Sequence, residues 1–129
     1  MGWFRLFAIC FGGALGTAAR YGVGVWAVRA MGTSFPYGTL IVNVVGSFLI
    51  GMVMHVALTT ELIAPTLRLT LTTGFVGGLT TYSSFNYETL ASLQRGAWRV
   101  AALNVGVTLV ACFVAGTLGF VGARALVGR

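Results

Sequence analysis

The sequence predicts an all-α membrane protein: four transmembrane helices per chain, the third broken at the bilayer midplane, and two chains paired as an antiparallel, dual-topology homodimer. Three observations predict it. Of 129 residues, 57% are hydrophobic and 8% are charged, against roughly 25% charged in soluble domains, so a water-facing surface cannot be covered. Charge-free stretches recur at 6–19, 30–60, 69–87 and 100–123, and each suits one crossing of a core that takes about 20 helical residues. The arginines, finally, divide evenly between the two sides.

The first span is placed near 3–29. Arg5 followed by an apolar run to Ala19 has the outline of a signal peptide, but no small-x-small site leads into a soluble domain, so the segment reads as a membrane helix. The second span falls at 37–59, the third at 66–95 and the fourth at 98–125, in one domain over 1–129. Met31 to Pro36, Thr59 to Pro65 and Gln94-Arg95-Gly96 connect them. Pro36 and Pro65 both stand where a helix begins, where proline is tolerated.

With four spans, Arg5, Arg68, Arg124 and Arg129 lie on one side, and Arg20, Arg29, Arg95 and Arg99 on or toward the other. Arginine bias normally sets orientation; four against four sets none. Such a chain either inserts both ways and pairs about a two-fold axis in the membrane plane, the reading favoured here, or is held to one orientation by one or two loop arginines. The net charge of +6 comes from eight scattered arginines with no lysine, which makes no basic patch and excludes nucleic acid as a partner. Nineteen glycines, with small residues four apart at Gly12/Gly16, Ser47/Gly51 and Ala115/Gly119/Ala123, point to close helix packing, oligomeric packing included. Cys10 and Cys112 lie inside apolar runs and are read as free thiols.

The residues able to carry chemistry concentrate in the third span. Gly77-Gly78 followed by hydroxyl residues at 80–84 weakens a helix by roughly 1 kcal/mol per glycine and offers its backbone other partners. A break there frees carbonyls, which suit a cation. Tyr82 and Phe85 share a face just beyond, and ring edges are electropositive enough to meet an anion. Thr39, Asn43 and Ser47 share a face of the second span, where the Asn43 amide either glues helices or offers N–H donors to an anion. Asn104, Thr108 and Cys112 form a like stripe on the fourth. His55 reads as a helix-end or interfacial residue. Glu61 and Glu88 are the only acids; with no acid pair, Ser/His/Asp set, metal cluster or phosphate loop, an enzyme is not expected.

Three segments carry a resemblance: Gly12 to Tyr21, Gly38 to Gly51, and Gly74 to Phe85 with Glu88. Together they resemble the Fluc (CrcB) fluoride channels over about the whole chain. The resemblance implies a multi-pass protein of a bacterial-type inner membrane that exports fluoride passively and relieves its toxicity. It implies two pores per antiparallel homodimer embedded in lipid, and a central structural Na⁺. The Na⁺ ligands would be the backbone carbonyls of Gly77 and Thr80. The pore would take Asn43, Tyr82 and Phe85, with Thr39, Ser83 and Ser84 as further donors and Asn104 and Thr108 on the last helix. Tyr82 stands where the family usually has phenylalanine. Arg20 would concentrate anions near the mouth. The rival reading is a small dual-topology multidrug/proton exchanger, which needs an embedded carboxylate that the first span lacks.

Overall fold

The computed structural model describes residues 2–128, so Arg129 of the charge tally lies outside the described residues. Among these residues the secondary structure is helical throughout, with no strand. Helix α1 runs Trp3–Met31 and stops at Gly32, whose φ of 80° is left-handed and suits glycine. Helix α2 runs Tyr37–Thr59, with Pro36 at its N-cap. The third stretch is composite: α3 (Pro65–Leu69), wide π-helical turns over Thr70–Val76, α4 (Gly77–Leu79) and α5 (Tyr82–Gln94). Helix α6 closes the chain at Trp98–Val127.

Helices α1, α2 and α6 are each long and apolar enough to cross a membrane. The second span coincides with its expected bounds, and the first and fourth run two residues past theirs. The third differs in an instructive way. Gly77 is helical (φ −62°, ψ −36°), whereas Thr80 (φ −82°, ψ 157°) and Thr81 (φ −154°, ψ 107°) are extended. The interruption therefore lies at the start of the hydroxyl run, while the glycines just before it stay helical. Before it, Thr70 and Thr72 hydroxyls donate to the carbonyls of Thr66 and Arg68, the back-bonding that competes with the regular ladder in the widened turns.

Glycines serve as seams. A Cβ at Gly12 would stand 2.6 Å from the Thr70 carbonyl oxygen, and one at Gly74 equally close to that of Ile9. Gly78 likewise meets the Gly13 carbonyl, and Gly16 that of Phe75. Backbone thus lies on backbone, with α1 and the third stretch running parallel. The same holds for α2 and α6, where Gly51 faces the Gly116 carbonyl and Gly119 that of Phe48. The small-residue spacings read from the sequence as support for oligomeric packing are spent inside the chain. The reason is geometric: two helices in backbone contact leave no room for a side chain between them.

Side chains point outward instead. Ala27, Val42, Ala101 and Ala123 are among the few apolar residues with almost no exposure, while Trp3, Phe7, Tyr82, Phe113 and Leu126 are largely exposed. Such a surface is suited to lipid or to a second apolar face, not to water.

Candidate functional site: the helix break and its cleft

Thr81 is the centre of the site. Its N–H, which a continuous helix would return to the Gly77 carbonyl, donates to Asn43 Oδ1 at 2.8 Å. Its carbonyl accepts from Asn43 Nδ2 at 3.1 Å. One asparagine side chain thus replaces both bonds that the break removes, as a peptide group would. The Thr81 hydroxyl accepts from the Ser84 N–H at 3.1 Å, which caps α5. It also donates to Ser84 Oγ at 2.9 Å and lies 3.3 Å from Ser83 Oγ. Arg20, one turn beyond Gly16 on α1, donates from Nη1 to the Thr80 carbonyl at 3.1 Å.

A cleft of about 470 Å³ opens beside the break, lined by Asn43, Gly77, Thr80, Tyr82, Phe85 and Thr108. Six of the residues expected to form the site are thus brought to one place. The rings of Tyr82 and Phe85 lie 5.6 Å apart, tilted by 53°. Phe85 is buried, 8% exposed, whereas Tyr82 is 77% exposed and faces out of the chain. Cys112 also lines this cleft and Cys10 is exposed; both thiols are free.

Other expected residues lie elsewhere. Thr39 lines a second cleft, of about 320 Å³, toward the 32–36 loop. Its hydroxyl donates to Glu88 Oε1 at 2.7 Å, and Glu88 Oε2 is buried without a hydrogen-bond partner. Asn104 donates to Thr89 Oγ1 at 2.9 Å and accepts from the Thr108 hydroxyl at 3.3 Å, which ties α6 to α5. Ser83 and Ser84, in the first turn of α5, turn their hydroxyls to that of the capping Thr81 rather than line the cleft. His55, close to the end of α2 as expected, is buried against Phe120, the two rings edge to face with centroids 4.6 Å apart. No group of three metal-ligating side chains occurs among the described residues. The residue that sequence reasoning passed over is Thr81, read only as part of a hydroxyl run. A threonine directly before a new helix, with Ser84 three residues on, is the pattern of an N-cap and would have singled it out.

The sequence compares closely with known proteins. The family described as CrcB-like protein, camphor resistance (CrcB), matches residues 7–120. A fluoride-specific ion channel FluC of Sorangium cellulosum (strain So ce56) is 54% identical over 95% of this chain and 97% of its own length. The protein of the same name from Anaeromyxobacter sp. (strain K) is 53% identical, covering 86% of this chain and 88% of its own. That of Citrifermentans bemidjiense is 47% identical, over 95% and 98% respectively. The match takes in the glycine seams, Asn43 and the whole of the break, and the chain belongs to the CrcB-like family.

Proposed function

We propose that the chain conducts fluoride passively across the membrane, as the names of its relatives state for them. The carrying observation is the cleft, which places Asn43, Tyr82 and Phe85 side by side at a helix break. Fluoride is small and strongly hydrated, so a route must replace its water with donors. Asn43 Nδ2 uses one hydrogen on Thr81 and has a second to offer. Two aromatic rings 5.6 Å apart offer electropositive edges, and the Tyr82 hydroxyl adds a donor. Charge at the mouths attracts anions, and the chain carries +6. Proton-coupled drug exchange has no support, since α1 holds no carboxylate.

On this reading the composite third stretch makes a fourth crossing, and the conducting unit is two opposed copies. What supports the pairing is Tyr82 at 77% exposure, with the exposed Phe113 also lining an open cleft. The four-to-four arginine division supports the opposition. The carbonyls of Gly77 and Thr80 fit a structural Na⁺. Both residues line the cleft, the Gly77 carbonyl has lost the Thr81 N–H to Asn43, and neutral oxygens suit a hard monovalent cation. Bound there, Na⁺ would supply a fixed positive charge beside the anion route.

Fluoride efflux from liposomes, with valinomycin carrying potassium, tests the function. Rapid release of fluoride and retention of chloride are expected. Equal release of both, or of neither, rules it out.

A further inference from the structure

We propose that Arg20 is a positioning residue that holds the helix break open, an inference that rests on the fluoride-conducting reading above. It lies on the α1 face that meets the third stretch backbone to backbone, one turn past Gly16. Its guanidinium donates to the Thr80 carbonyl. In a continuous helix that carbonyl would accept from the Ser84 N–H, which is bonded to the Thr81 hydroxyl. Arg20 is its hydrogen-bond partner among the described residues, and the oxygen's second lone pair stays free for the Na⁺ proposed above. The Thr80 N–H and hydroxyl both turn back to the Val76 carbonyl, each at 2.9 Å, so the first half of the composite helix ends there. A cation is favoured at such a C-terminal end by the helix dipole. The half-buried guanidinium in turn has no carboxylate within ion-pair distance among the described residues, and this carbonyl is what it bonds. Arg20 from α1 thus fixes Thr80, and Asn43 from α2 fixes Thr81. The two extended residues are clamped from opposite neighbours.

Arg20 acting only as an anion-attracting charge makes a different expectation, which fluoride titration separates. Reconstituted parent, Arg20→Gln, Arg20→Lys and Arg29→Gln proteins are compared by liposome flux across fluoride and salt concentrations. Solid-state NMR reads the Thr80 carbonyl and Thr81 amide in the same samples. Arg29 is an exposed arginine at the end of α1 outside the cleft. Arg20→Gln is expected to shift both resonances and to lower flux at saturating fluoride by about tenfold, the scale of a lost charge-assisted hydrogen bond. High salt does not remove that deficit. Arg20→Lys, which keeps the charge without the planar fork, restores flux only in part, and Arg29→Gln leaves both readouts at parent values. An unmoved Thr80 resonance in Arg20→Gln overturns the inference, as does a flux deficit that vanishes at saturating fluoride. If the parent itself carries no fluoride, the conducting reading falls, and the Thr80 resonance still decides the role of Arg20.

Discussion

Asn43 spends both ends of its amide on the backbone of Thr81, so substitutions there act on the break as well as on an anion. Asn43→Ala leaves an N–H and a carbonyl unpaired, at about 1–3 kcal/mol for each orphaned group. A lowered unfolding midpoint in detergent, together with lost fluoride flux, is the expected result. Asn43→Asp keeps an acceptor for the Thr81 N–H but sets oxygen against the Thr81 carbonyl, and when ionised it repels fluoride. It should therefore lose more flux than Asn43→Ser, which keeps one donor; equal activity of the two would remove Asn43 from the route. Phe85→Ile removes the electropositive edge while keeping most of the apolar volume, an exchange of the kind that usually costs under about 1.5 kcal/mol. The variant should purify like the parent and conduct far less. Parental conduction would make Phe85 a packing residue.

Between elements, stability resides in the glycine seams. Gly119→Ala on α6 would drive a methyl into the Phe48 carbonyl of α2, whereas Gly122, one turn away, has open space. The first should cost about 1–3 kcal/mol as overpacking, while the second, relieving glycine's entropy in a helix, should be neutral or stabilise by about 0.5–1 kcal/mol. Thermal unfolding of the two variants side by side checks this, and matching losses would contradict it. These seams also show what was legible from residues alone. The spacing of small residues announced close helix contact, and the charge-free run, bounded by Pro36 and the Thr59 to Pro65 connection, placed α2. The partners in each contact were not legible, because a small-xxx-small pattern marks a face and not what lies on it. The break was legible: it falls at Thr80 and Thr81, inside the glycine and hydroxyl run that begins at Gly77. Gly77-Gly78 reads as the weak point by propensity, yet Gly78 lies so close to the Gly13 carbonyl that only glycine fits there. The chain opens where Asn43 and Arg20, distant in sequence, supply bonds to replace those of the helix. Asn43, Tyr82, Phe85 and Thr108 were foreseen and do share one cleft. Ser83 and Ser84 find a local partner in Thr81 first, and Thr39 a distant one in Glu88, a competition that spacing alone does not reveal.

At the scale of the whole molecule, the chain is a multi-pass membrane protein of the CrcB-like family whose cleft is open on one side. Tyr82 and Phe113, at 77% and 79% exposure, make that open side apolar and aromatic, as a face for a second copy would be. Placing a reporter after Val127 and scoring its side of the membrane should find both sides populated; a single side would end the dual-topology proposal. Exchange of sodium for a large organic cation should slow fluoride flux if the Gly77 and Thr80 carbonyls hold Na⁺, and flux indifferent to prolonged exchange would argue against that site. The claim on which the rest depends is passive fluoride conduction. It is tested most directly by the reversal potential of currents through reconstituted protein, under separate gradients of fluoride and of pH. The predicted result is a reversal that follows the fluoride gradient at about 59 mV per tenfold, the value for a single charge, and does not move with pH. A reversal potential that tracks the proton gradient, or the absence of any fluoride current, would contradict it.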